Sequence, residues 1–474
     1  MTRHAILVAL LASACTLRPA LPAPREPLSA TDPSALPDEP SARWPETSLA
    51  LRLTRRDLAN GMRVAIARSA PAGMVSVVFV SRATAGASPA RSMVASCLAE
   101  ALGERVTIDG AIVERPLDRD AFTPRIDALP EGLRITARFD RARLDRYLAL
   151  LERVVAASQL DDPARCRERT IASLEGHGAI VARRSALRFD DEDPRAASLE
   201  QRLALARAID VDALRARLVG LSDPRHAALV IAGDVDPNDA LPLVVQRFAA
   251  WSASADDAPA PTAPRYRLGA ARGLTVPTGS ERAAIAIDTP APGFTEPDYA
   301  SFLVIEQLVG RMHSARLRLV LRERDAVAYA ADAAFEANAA DGQLRLLTEA
   351  RAAHTREALR FMLGELGRVR DGEIEPLELE LARTRALEGL LVRLDSPTGL
   401  AEAIGRRMLA GQEPSAITAL VAQLTTITVD DVRTAAAHWI EPSRAFITLA
   451  GGPEALRAAE DDALGELEPI VEAR

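Results

Sequence analysis

The sequence predicts an α+β protein made of two copies of one unit, each an antiparallel-rich sheet packed with helices. Three observations lead there. The chain has 474 residues, more than a single hydrophobic core usually organises. A set of residues recurs at one fixed offset, and within each copy β-branched segments give way to long amphipathic helices.

The chain opens with Met1-Thr2-Arg3-His4, an apolar run from Ala5 to Ala12, and Ser13-Ala14-Cys15. This is the layout of a secretory signal, and the run is too short to span a bilayer. Small residues directly before a cysteine resemble a bacterial lipobox. Residues 1–15 are therefore expected to be a signal peptide with Cys15 as its lipidation site, giving an exported, periplasmic, membrane-anchored lipoprotein. The competing reading is an ordinary cleaved signal with an incidental cysteine. The Pro-rich stretch 16–47 has too few apolar residues to fold and reads as a tether.

The first unit is expected over 48–250. Asn60-Gly61 suits a tight turn, and it precedes two β-branched runs, Met62 to Ala67 and Met74 to Val80, that favour strands. From Arg141 to Ser158, Leu144, Leu148, Leu151 and Val155 fall on one face of a helix. A second helix from Ala164 to Leu174 follows the start signal Asp161-Asp162-Pro163. The unit ends in the apolar strand Ala227 to Ile231.

A second unit, 267–462, repeats this order. Ile209 and Ile427, Asp212 and Asp430, Pro224 and Pro442, and Gly233 and Gly451 are each 218 apart (427 minus 209, and so on). Leu174-Glu175-Gly176 matches Leu387-Glu388-Gly389 at a slightly different offset, as a loop insertion produces. Residues 251–266 have the Ala, Ser, Asp and Pro composition of a linker, and 463–474 remain as a tail.

Charge and cysteine content narrow the function. The net charge is −8 and every basic residue is arginine, dispersed along the chain, so there is no nucleic-acid footprint. After Cys15 only Cys97 and Cys166 remain, allowing at most one internal disulfide.

The segment Leu58-Ala59-Asn60-Gly61-Met62-Arg63-Val64, the repeat itself, and Leu321-Arg322-Glu323-Arg324-Asp325-Ala326-Val327-Ala328-Tyr329 resemble the insulinase and pitrilysin family. Its smaller members, such as the subunits of mitochondrial processing peptidase, contain two homologous α+β domains. Active members carry His-x-x-Glu-His on a helix of the first domain. Two imidazoles one turn apart bind zinc, the intervening Glu polarises a bound water, and a later Glu completes the site. Here none of the six histidines lies four residues from another. Aligning Val94-Ala95 with the family's apolar pair places Ser96-Cys97-Leu98-Ala99-Glu100 at the motif, so Ser96, Ala99 and Glu100 replace the two ligands and the base.

The resemblance further implies that Glu175 is a vestigial third ligand supported by Glu168; both also read as plain exposed carboxylates. No cofactor is expected in this chain. A remodelled site of Cys97, Glu100 and Glu175 is less favoured than a buried Cys97 or a Cys97–Cys166 disulfide. In the second unit, Gly310 matches the family's Gly-rich loop. Arg322 and Tyr329 match the Arg and Tyr that hold substrate and stabilise the oxyanion, both being donors to a carbonyl oxygen that gains charge.

The resemblance therefore implies a non-catalytic subunit that binds extended peptides and completes the chamber of a zinc-bearing homologue with an intact His-x-x-Glu-His. The alternative is a peptide-binding or structural scaffold with no part in proteolysis. A self-sufficient enzyme with an altered metal site is the remaining, least favoured reading.

Overall fold

The computed structural model describes residues 53–469 except 70–71, 87, 119–121, 123, 161–162, 254–261, 268–271, 325 and 461–465. The signal and Cys15, the tether, the middle of the linker and most of the tail lie outside the described residues. Residues from Leu49 onward form one compact unit.

In chain order the strands are β1 (Leu53–Asp57), β2 (Arg63–Arg68), β3 (Met74–Ser81), β4 (Arg105–Ile108), β5 (Ala111–Glu114), β6 (Arg125–Leu129), β7 (Gly132–Asp140), β8 (Ser158–Gln159) and β9 (Ala227–Gly233). The second half supplies β10 (Arg272–Pro277), β11 (Arg282–Ala291), β12 (Ala328–Ala337), β13 (Gly342–Arg351), β14 (Phe446–Gly451) and β15 (Glu466–Pro469). Two six-stranded sheets result, ordered β1-β2-β9-β3-β7-β6 and β15-β10-β14-β11-β13-β12, with β4, β5 and β8 in a small third sheet.

The large sheets share one plan. In each, a late strand (β9, β14) runs parallel to an early one (β2, β10) and antiparallel to the strand that follows that early one in the chain (β3, β11). The α+β class expected from sequence is the one observed. The edges differ: β1 pairs antiparallel with β2, whereas Glu466–Pro469, from the segment read as a tail, adds a parallel edge strand beside β10.

Burial explains the strand sequences. Every residue of β9 is buried, so it is a continuous apolar run without alternation. In β3, Val75, Val77 and Phe79 join the core of the first half, while Val78 and Val80 face Gly405 on the far side of the sheet. The helix Leu144–Ala157 buries Leu144, Leu148, Leu151 and Val155, the stripe read from the sequence. Asn60 ties the opening turn to the end of the first half, donating to the carbonyls of Phe248 at 2.8 Å and Trp251 at 3.1 Å.

The far side of each sheet is covered by a helix from the other half. Pro397–Leu409 lies across β3 and β9, with Ser76 and Thr398 sharing a hydrogen bond of 2.7 Å. Ala179–Arg188 reaches the second sheet, where Leu187 packs on Leu274 and Phe446. The two helices begin 218 residues apart (397 minus 179), so the exchange follows the repeat. Arg184 pairs with Asp288, which is 1% exposed and also held by Arg345 at 2.6 Å. At the equivalent place, 218 residues on (402 minus 184), Glu402 accepts from Arg125 at 2.5 Å and Thr136 at 3.2 Å. The two clamps use opposite charges.

Candidate functional site

The helix Pro89–Glu104 carries Ser96–Glu100, the segment that the sequence sets against the zinc motif. It starts with Pro at its first position and Ser88 as cap, accepting from the Arg91 amide at 3.4 Å. Ser96 is exposed and Glu100, one turn on, is half-buried, while Cys97, Leu98 and Ala99 point into the core.

Across from this helix runs Ala164–Ser173. Cys97 and Cys166 form a disulfide with their Cα atoms 5.5 Å apart. Arg169 pairs with Glu100 and reaches Glu104 at 3.3 Å, and Arg165 reaches Glu104 at 3.2 Å. A cavity of about 340 Å³ opens beside the disulfide, lined in part by Glu100, Glu104 and Arg165.

These residues do not fit zinc. No imidazole faces the cavity, the Cys97 sulfur is consumed by the disulfide, and the Glu100 carboxylate is neutralised by a guanidinium. The sequence left a Cys97, Glu100 and Glu175 site open; the disulfide closes it. Among the described residues no group of three His, Cys, Asp or Glu is arranged to hold a metal ion. Glu168 and Glu175 are both exposed, with no salt bridge among the described residues.

Sequence reasoning missed the arginine cluster. Its signal was present: Arg165 and Arg169 are four apart on one helix, facing Glu100 and Glu104, four apart on the other.

In the second half the helix Tyr299–Glu306 widens into turns of i→i+5 bonding over Gln307–Arg311, and a separate segment, Arg318–Arg324, has the same bonding; the first half does so over Leu174–Gly178. Gly310, Arg322 and Glu175 each sit on one of these segments, a geometry that recurs at functional sites. Gly310, set by the sequence on a Gly-rich substrate loop, lies on the widened turn Gln307–Arg311. It is buried, and a Cβ there would collide with the Ala333 backbone in β12. Its role is close helix-to-strand packing.

Arg322 is exposed, with Glu323 as its ion-pair partner at 3.2 Å. Ala326 adopts φ +49°, the left-handed region that a glycine would occupy without strain. The register of β12 against β13 then slips between Ala328 and Ala330, so Tyr329 is the unpaired residue of a bulge and is 77% exposed. No hydrogen bond or ion pair among the described residues joins Arg322 or Tyr329 to Ser96, Glu100, Glu168 or Glu175. Close by, burial raises the Glu306 carboxyl above its ordinary range, although it accepts from the Phe335 amide at 3.1 Å.

Residues 219–386 match the family model described as the peptidase M16 inactive domain. Over those residues, well under half of the chain, it is similar to the M16 peptidases. A match to an inactive domain fits a non-catalytic M16 homologue. An uncharacterised zinc protease of Streptomyces coelicolor is 26% identical over 218 residues, 45% of this chain and 48% of that protein. The similarity thus spans about half the length of that relative. A peptidase M16 inactive domain from Pseudomonas fluorescens superposes with a TM-score of 0.69 at 17% identity, over 85% of this chain and 98% of that one. The periplasmic protease PqqL of Escherichia coli gives 0.68 at 18% identity, over 95% of this chain and 51% of that one. Among the described residues no helix is long and apolar enough to cross a membrane.

Proposed function

We propose that this chain is a non-catalytic subunit that binds extended peptides and completes the chamber of a zinc-bearing M16 partner, offering Arg322 and Tyr329 to the substrate carbonyl. The observation that carries this reading is an asymmetry between the halves. The degenerate motif is locked by a disulfide and arginine–carboxylate pairs, whereas Arg322 and Tyr329 stand exposed on a widened turn and a bulge. Both are donors with little else to hold them, as oxyanion stabilisers opposite a partner's metal require.

The partner supplies the zinc, the general base and the bond cleavage. The periplasmic setting of PqqL and the signal-like residues 1–15 support an exported, periplasmic site of action, with Cys15 as lipid anchor. The proposed division of the chain is two M16-like units, 48–250 and 267–462.

The test is purification of this chain from its native source, followed by a peptide-cleavage assay with and without the co-purifying homologue. Tyr329→Phe and Arg322→Ala should each lower kcat of the pair by about 10²-fold, the scale of losing one oxyanion donor, without dissociating it. Full activity in both variants would reject the Arg/Tyr role. Absence of any partner-dependent cleavage would favour the scaffold reading.

A further inference from the structure

A second cavity, of about 320 Å³, lies where Pro376–Asp395 and Pro397–Leu409 meet the first sheet. Its polar lining is basic, with Arg134, Arg393, Arg406 and Arg407 against the single carboxylate of Glu402. Glu402 is already satisfied by Arg125, Thr136 and Arg134. Arg406 pairs with Glu131 at 3.3 Å. Neither Arg393 nor Arg407 makes an ion pair within 4 Å among the described residues, although the charge of Arg393 also acts on the Glu306 carboxyl.

Arg407 is the unusual one, because only 9% of it is exposed. It donates to the Phe294 carbonyl and to Gln412, each at 2.7 Å, and stacks over Phe294 and Tyr299 with ring distances of 5.1 and 5.5 Å. Neutral acceptors and ring faces leave a buried guanidinium with its full charge. Burial lowers its pKa, and neighbouring Arg406 adds to this, which is the condition an anion relieves. Leu394, Ile417 and Leu420 give the cavity an apolar wall.

We propose that this cavity binds the C-terminal carboxylate of a peptide, with the carboxylate between Arg393 and Arg407 and the last, apolar side chain between the aromatic rings and the leucine wall. A planar carboxylate suits the guanidinium fork, and an amphiphilic end group uses both kinds of lining. The site is separate from Arg322 and Tyr329 and is tested on this chain alone, so its failure would leave the chamber reading standing, and the reverse.

The experiment is calorimetric titration of the full chain with N-acetyl-Ala-Leu as free acid, the same dipeptide as C-terminal amide, and inorganic phosphate. The free acid should bind saturably, and the amide about 10-fold or more weaker, the scale of one charge-assisted hydrogen bond. Arg393→Gln, at an exposed position that leaves the fold intact, should weaken the acid by a similar factor and leave the amide unchanged. Phosphate should not displace the acid. Equal binding of acid and amide, no saturable binding of the acid, an unaffected Arg393→Gln variant, or phosphate competing as strongly as the acid would each overturn the assignment.

Discussion

Replacing both half-cystines with serine (Cys97→Ser with Cys166→Ser) removes the one covalent link between the degenerate motif helix and its neighbour. The bond closes a loop with a sequence separation of 69 residues. Constraining an unfolded chain over that length is worth about 4 kcal/mol at 25 °C in the chain-entropy account. Other contacts between the helices replace little of it, because Arg169 and Glu104 are roughly half exposed and such pairs contribute about 0–1 kcal/mol. The double variant should therefore unfold at markedly lower urea concentration, with the difference near 4 kcal/mol when slopes are equal. The oxidised parent, unfolded without reductant, should show no thiol from Cys97 or Cys166. A variant within about 1 kcal/mol of the parent, or two reactive thiols at these positions in the parent, would refute the reasoning.

Two further perturbations test local readings. Glu306 is raised by burial, so its protonated form is favoured in the fold; the stabilisation is present at low pH and is lost as pH rises through the folded pKa. Glu306→Gln keeps an acceptor for the Phe335 amide and should raise Tm at pH 7, with the gain fading below about pH 4, where the unfolded carboxyl is also protonated. A Tm lowered at pH 7, or a gain independent of pH, would contradict this. Ala326→Gly should stabilise by about 1 kcal/mol, since glycine removes the left-handed penalty at φ +49° and returns part of it as unfolded-state entropy; a drop in thermal midpoint would show the strain is not there.

The sheets and the main helices were legible because their apolar periodicities are local. Val75, Val77 and Phe79 alternate, Leu144 to Val155 follow a helical stripe, and the 218-residue offset announced a repeated topology. The same offset was silent on which sheet each helix covers. Gly405 and Leu187 are compatible with either half until the chain is folded. The loss of the zinc motif was visible as missing histidines, but its replacement was not, because the arginine–glutamate contacts join residues 69 apart (169 minus 100). The packing of Gly310 was hidden for a related reason: a glycine required by close backbone approach and one required by a substrate loop look identical in sequence.

The exchanged helices bear on whether either half can stand alone. The first half taken alone would present the valine-rich back of its sheet to water, because its covering helix comes from the other half. Within one chain the two halves cover each other by the mutual exchange that elsewhere gives a low-cost route to dimers. The clamps set the two faces apart, with Arg184 on one side and Glu402 on the other, so neither helix is interchangeable with its counterpart.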